Sequence, residues 1–220
     1  MLTMTILILA AYFVGAIPFA LLLGRLKGVD IREMGSGNVG ATNVFRSVGK
    51  GWGVLTFVCD VLKGFLPAIL FPVWATGGIE QPETAGLIYG CAAIAGHNWP
   101  VYLRFKGGKG VATSAGVLLG VAPQAVAVGL AVWILLFAVF RYVSLASIGA
   151  AAAIPAAGWW LYGDTNRAVP VVLTLLGLLV IWRHRSNIQR LLNGTEHTFR
   201  KEKEGTTEGA EEHGGRNGTE

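Results

Sequence analysis

Charge is what this chain has least of. Of its 220 residues, 14% are Asp, Glu, Lys or Arg, against about 25% in a typical soluble domain. Charge that sparse cannot cover the water-facing surface of a domain this size, which excludes an ordinary soluble enzyme. Cysteine is nearly missing too. Cys59 and Cys91 stand alone in apolar runs, with no CxxC and no His at metal spacing. That excludes a disulfide scaffold and leaves two small buried hydrophobes. No acidic pair, HExxH or Cys/His cluster is present, so neither a metal site nor a cofactor is expected. A GxSxG nucleophile elbow is missing because Met34 precedes Gly35 and Ser36. In excess stand the hydrophobic residues, at 53%, and 31 glycines, about twice the usual share of ~7%. The composition points to one small polytopic membrane domain, all-α, over residues 1–200. The tail 201–220 is polar, Gly/Glu-rich and non-periodic, and is expected to be disordered.

Apolar runs long enough to cross a bilayer cover 2–23, 54–75, 84–103, 143–162 and 168–182. A further run, 111–140, would be about 45 Å long as one helix, against a hydrocarbon core of ~30 Å. Pro123 lies where a break would turn it back, so it reads as two spans, the first short. The total is seven transmembrane helices. No basic residue precedes the first run, so it is not a cleaved signal peptide. The positive-inside rule puts the N-terminus outside and the C-terminus in the cytoplasm. Of the 18 Lys and Arg, all but Lys63 and Arg167 then fall on the cytoplasmic side or its loops. A six-span arrangement would send Arg141 and the C-terminal basic cluster outside.

Three polar motifs lie on that face. In the first, Gly35, Gly37 and Gly40 fit G-x-G-x-x-G, but no strand precedes them and no dinucleotide fold follows. Glycines there let backbone N–H groups converge on an anion, with a helix N-terminus behind them. Ser36, Asn38, Thr42 and Asn43 add short polar groups, and Arg46 adds a fork suited to phosphate. The alternative is a flexible, charged turn. The second motif, Phe105-Lys-Gly-Gly-Lys-Gly-Val-Ala-Thr113, is not a Walker A sequence. It pairs Lys106 and Lys109 with Gly107, Gly108 and Gly110 at a helix start, a second phosphate cradle. A plain basic loop at an anionic leaflet would not need those glycines. In the third, His184 and Asn187 are i and i+3 on one helix face, with Glu196 beyond. His184 could be a general base or an oxyanion donor. A basic stop signal explains the arginines here but not Asn187 or Glu196.

Inside the spans, Asp60 and Lys63 at i,i+3 are expected to pair. For Lys63, ligand contact and a structural ion pair both stay open. His97 and Asn98 read as a hydrogen-bonded structural pair, and Ser144, at the inner end of span six, is a site candidate. Two phosphate cradles beside an apolar bundle imply substrates with phosphate heads, at least one carrying a lipid chain. The motif of phosphatidyl alcohol transferases is absent. So is the His-x4-Asp of other glycerolipid acyltransferases, because Tyr102, Gln189 and Glu202 occupy the fifth place after His97, His184 and His197.

The segments GSGNVGATNVFR, AGHNWPVYLRFKGGKGVAT, RYVSLAS and RHRSNIQRLLNGTE together resemble the bacterial PlsY family, the acyl-phosphate:glycerol-3-phosphate acyltransferases. The similarity spans nearly all of 5–197 in the same order. It implies seven spans in the bacterial inner membrane and a site facing the cytoplasm. It also implies acyl transfer from acyl phosphate to the 1-hydroxyl of glycerol 3-phosphate, with a soluble PlsX-type enzyme supplying the donor. The catalytic groups it implies are Ser36, Arg46, His184 and Asn187. The substrate-binding groups it implies are Lys106, Gly107, Gly108, Lys109 and Glu196, and Gly37, Asn38, Asn43, Lys63 and Ser144 join them as substrate-binding candidates on the residue chemistry above. Ser186 stands at a position where relatives vary and takes no role. No nucleic-acid partner is expected. Two rivals remain, a transporter of organic phosphates and a scaffold for anionic lipid. No internal repeat supports the first, and the second would not need Ser36 or Asn187.

Overall fold

A computed structural model describes residues 2–75 and 81–199, and among them every regular element is helical. The tail 201–220 lies outside the described residues. The helices are α1 (Leu2–Ala16), α2 (Phe19–Arg25), α3 (Ala41–Ser47), α4 (Lys50–Trp74), α5 (Pro82–Asn98), α6 (Val111–Val121), α7 (Pro123–Phe140), α8 (Val143–Tyr162), α9 (Ala168–Arg183) and α10 (Arg185–Leu192). Helices keep backbone hydrogen bonds internal, which is what a lipid environment demands.

Among the described residues, four spans are long and apolar enough to cross a membrane: Leu2–Arg25, Lys50–Trp74, Pro123–Phe140 and Val143–Tyr162. α9 and α10, which meet at a 55° bend, make a fifth if the bent pair is taken as one span. A count of seven adds α5, at 17 residues, and α6, at 11 residues. Large apolar side chains face outward, among them Leu135, Val139, Trp160, Leu175 and Leu178. Such a belt suits acyl chains and not water.

Proline sets the breaks. The run expected as one helix over 2–23 is interrupted at Ile17–Pro18, where Pro18 lacks an N–H and disfavours helix before it. The freed Ile17 carbonyl accepts from Lys63 Nζ at 2.9 Å. The run 111–140 does divide at Ala122, with Pro123 opening α7. The expected span 84–103 stops at Asn98, before Trp99-Pro100, and a short 3-10 turn continues it.

Within the bundle α4 packs against α5 and α6, α1 against α5, α7 against α8, and α8 against α9. Two seams rest on glycine. A methyl group at Gly64 of α4 would overlap the Thr113 carbonyl of α6, and one at Gly96 of α5 would overlap the Tyr12 carbonyl of α1. Small residues permit this backbone approach, which replaces the hydrophobic driving force missing in lipid. Contacts between loops join the helix ends: Lys27 lies over Trp52, Gly107 and Gly108 fold onto α5, Arg183 reaches Gly107, and Phe199 reaches Arg141. The ends near residues 25, 50, 98, 111, 141 and 183 thus gather on one side, with the three polar motifs among them.

Candidate active site

The first motif is shaped by Asn43. Its Nδ2 donates to the Ile31 and Met34 carbonyls, at 3.0 Å each, and its Oδ1 accepts the Ser36 N–H at 3.0 Å. Asn43 is 3% exposed, so it works as the staple of the loop. Gly35 and Gly37 take left-handed backbone, at φ 54° and 67°, where a side chain would be strained. The result leaves Ser36 exposed and Gly37 and Asn38 half-buried beside it. Arg46, at the end of α3, is exposed, and its Nη2 donates to the His197 carbonyl at 3.1 Å.

The second motif is folded onto the end of α5. The Gly107 N–H donates to the Asn98 carbonyl and the Gly108 N–H to the His97 carbonyl, both at 3.2 Å. A Cβ at Gly107 would overlap the His97 carbonyl, and one at Gly108 would overlap His97 Nε2. The same atom on Gly108 would stand 3.0 Å from the Val39 carbonyl of the first motif. These two amides are therefore taken by α5, and the glycines serve by placing Lys106 and Lys109. Lys106 is exposed and Lys109 is half-buried.

Arg183, which sequence reasoning took as part of a basic stop signal, fastens this loop. Its Nη2 donates to the Gly107 carbonyl at 2.9 Å and also to the Gly108 carbonyl. The only sequence trace of that role is its place directly before His184.

The third motif centres on Glu196, which is 8% exposed. Its Oε1 accepts from Ser144 Oγ at 2.8 Å and from Asn187 Nδ2 at 2.7 Å, and its Oε2 accepts from Arg190 Nε at 2.8 Å. Asn187 Oδ1 accepts in turn from Lys109 Nζ. Ser144, Lys109, Asn187 and Glu196 come from the α8 start, the loop before α6, α10 and the C-terminal segment. Arg190, not anticipated as a site residue, completes the set.

Each environment sets a charge state. Burial pushes the Lys109 ammonium down to about 8; Glu196 opposes this, and Arg190, Arg183 and Arg46 add to it. Burial works to raise the Glu196 carboxyl. The hydrogen bonds from Asn187, Ser144 and Arg190 outweigh it and hold the group below the usual range. His184, 3% exposed, is lowered to about 4 by burial and the nearby Lys109 charge. Its Nδ1 lies 2.8 Å from the Val180 carbonyl. A carbonyl only accepts, so Nδ1 carries the proton and Nε2 keeps its lone pair.

A second polar group lies deeper. Lys63 Nζ pairs with Asp60 Oδ1 at 2.8 Å, and His97 Nδ1 stands 3.8 Å from the same oxygen. The expected His97–Asn98 bond does not form. His97 turns toward Asp60, while the Asn98 amide, 1% exposed beneath Gly110, meets no hydrogen-bond partner among the described residues. Asp60, Lys63 and His97 border a shallow pocket walled also by Ile17, Gly107 and Gly108. Lys63 is thus placed with Asp60 and not with the Glu196 cluster.

Fold and site together define a multi-pass membrane protein that gathers basic and short polar side chains at one end of an apolar bundle. The sequence profile described as glycerol-3-phosphate acyltransferase matches residues 5–194. A glycerol-3-phosphate acyltransferase of Trichlorobacter lovleyi is 49% identical over 193 residues, 88% of this chain and 96% of that protein. One from Aquifex aeolicus is 45% identical over 193 residues, 88% of this chain and 97% of that protein. The crystal structure of PlsY (YgiH), an integral membrane glycerol 3-phosphate acyltransferase, in its glycerol 3-phosphate form superposes with a TM-score of 0.81. It is 43% identical and covers 90% of this chain and 96% of its own. Its lysophosphatidic acid form gives 0.78, with 90% and 95% covered. The chain belongs to the glycerol-3-phosphate acyltransferase family.

Proposed function

We propose that this membrane acyltransferase moves a fatty acyl group from acyl phosphate to the 1-hydroxyl of glycerol 3-phosphate, releasing lysophosphatidic acid and phosphate. The observation that carries the reading is the link from Lys109 through Asn187 to Glu196, made beside a neutral His184. Cationic and hydrogen-bonding groups meet there at the edge of an apolar bundle, which suits a phosphate head on a lipid chain. A soluble PlsX-type enzyme supplies the donor, and no metal or cofactor is called on. The domain spans 1–200 with seven crossings, N-terminus outside, C-terminus and site on the cytoplasmic side of the bacterial inner membrane. The segment 201–220 takes no part in catalysis.

The donor is already activated, so no acyl-enzyme is needed. The glycerol oxygen attacks the acyl carbonyl, the tetrahedral intermediate collapses, and the acyl–phosphate bond breaks. Arg46, Lys106 and Lys109 bind the phosphates and, with Ser36 and the loop of Gly37 and Asn38 that Asn43 staples, stabilise the developing oxyanion. The hydroxyl proton passes to the departing phosphate, making the reaction substrate-assisted. A histidine held near 4 is a weak base. His184 Nε2 instead accepts from the hydroxyl and orients it, with Asn187, while Ser144 and Glu196 hold Asn187 in place.

The test is purified protein in detergent with palmitoyl phosphate and labelled glycerol 3-phosphate. Labelled lysophosphatidic acid is expected. Its absence would sink the enzyme reading, and equal product from palmitoyl-CoA would sink the donor. A His184→Gln protein that binds both substrates but has lost the chemical step would overturn the substrate-assisted route.

A further inference from the structure

Residues 197–199 lie beyond the stretch matched by the family profile, which ends at 194, yet they close over the first motif. The Arg46 guanidinium carbon sits 4.5 Å from the centre of the Phe199 ring. Arg46 Nη2 donates to the His197 carbonyl at 3.1 Å. Arg46 is thus held from two directions by one short strap. The strap is itself fixed. The Phe199 N–H donates to the Arg141 carbonyl at 3.0 Å, where α7 ends. Its ring meets Phe45 of α3 and Phe137 of α7 edge-on, each at 5.8 Å between centroids.

An exposed arginine has many rotamers, and a phosphate site needs one of them. A ring face fixed by three independent contacts selects a plane for the guanidinium and leaves its remaining N–H groups free for a ligand. Phe45 precedes Arg46 in α3, so the same ring grips both the helix and its functional side chain. We infer that Phe199 is a positioning residue for Arg46, orienting its guanidinium toward substrate phosphate. The inference rests on the acyltransfer reading above and extends the working site past the third motif to the strap.

The test compares Phe199→Leu with Phe199→Trp in purified full-length protein, using palmitoyl phosphate and glycerol 3-phosphate. Leu keeps apolar bulk against Phe45 and Phe137 but removes the π face, whereas Trp keeps one. Leu should lower kcat/KM about five- to tenfold, the scale of one cation–π contact, with little change in thermal midpoint. Trp should restore most of the loss. A double-mutant cycle with Arg46→Gln, which removes the cation, assigns the effect: Phe199→Leu should cost much less in the Arg46→Gln background. Full activity of Phe199→Leu, an equal loss in Phe199→Trp, or the same cost in both backgrounds would each overturn the inference. A wild-type protein that makes no lysophosphatidic acid would instead overturn the acyltransfer reading, so the two failures are distinguishable.

Discussion

Among the described residues, the charge clusters at Asp60 and at Glu196 both face inward, and they are built differently. The cluster at Asp60 is built on one helix turn, and it borders the pocket beside Gly107 and Gly108. Asp60 and Lys63 sit one turn apart on α4, 2% and 4% exposed, and Lys63 completes its contacts on the Ile17 carbonyl. The cluster at Glu196 is assembled from residues 109, 144, 187, 190 and 196 on different elements. Exposed Ser36, Arg46 and Lys106 carry the polar groups on toward solvent. A pair on one helix whose lysine reaches the Ile17 carbonyl ties α4 to the break between α1 and α2. A network that ends in exposed cations has capacity left for an anion. Burial of charge alone therefore does not mark the site.

The largest effect expected from this contrast is on stability. Lys63→Met leaves Asp60 unpaired and removes the cap on Ile17, which should cost about 3–5 kcal/mol. Unfolding in detergent would show it as a large drop in thermal midpoint. The double variant Asp60→Asn with Lys63→Met should recover most of it. A Lys63→Met protein of normal stability with a raised KM for glycerol 3-phosphate would break the comparison and place Lys63 among the ligand contacts.

Next comes Glu196→Gln. The amide brings a donor where Ser144, Asn187 or Arg190 already donates. Losing a charged hydrogen bond costs about 1.5–3 kcal/mol, or roughly ten- to 100-fold in kcat/KM when transferred to the site. The thermal midpoint should fall far less than in Lys63→Met. If both variants lose stability alike and neither lowers kcat/KM selectively, both clusters are structural. At equilibrium Glu196 adds a pH signature. Its carboxyl lies below the ordinary value of 4.5, so its stabilisation is present above that value and is lost as pH falls through the folded-state pKa.

What could be read in advance follows the range of the interactions. The Asp60–Lys63 pair and the break at Pro123 depend on spacing within a helix or on one residue's missing N–H, and both are in the structure. The meeting of three motifs on one side followed from where the apolar runs end. The break at Pro18 was hidden because a proline inside an otherwise unbroken apolar run does not end the hydropathy signal. Arg183 was hidden because two carbonyls 75 and 76 positions away define its role. The glycines at 107 and 108 were legible as necessary. That their N–H groups face α5 depends on tertiary packing alone.

Lys109 offers a smaller and sharper test. Its ammonium, lowered to about 8, loses its proton as pH rises through that value, and its attraction for phosphate goes with it. The free-enzyme profile of kcat/KM should therefore fall above pH ~8, approaching tenfold per unit. Lys109→Arg keeps its charge throughout and should remove that limb, at whatever lower plateau its altered geometry imposes. An alkaline limb that persists unchanged in Lys109→Arg would show that another group sets it.

The smallest effect is expected at the C-terminal boundary, where the comparison is between two cuts a few residues apart. Residues 201–220 lie past the family match, and the proposed reaction assigns them no role. Ending the chain after Arg200 should leave kcat/KM unchanged and stability within about 0.5 kcal/mol of the uncut protein, as expected for removal of a polar, non-periodic segment. Ending it after Glu196 removes His197 and Phe199, and with them both contacts on Arg46. That shorter protein should lose activity at least as strongly as Phe199→Leu while keeping the Glu196 network. Equal activity of the two truncations would detach the strap from the site. A loss already present after the cut at Arg200 would make the charged tail part of the enzyme.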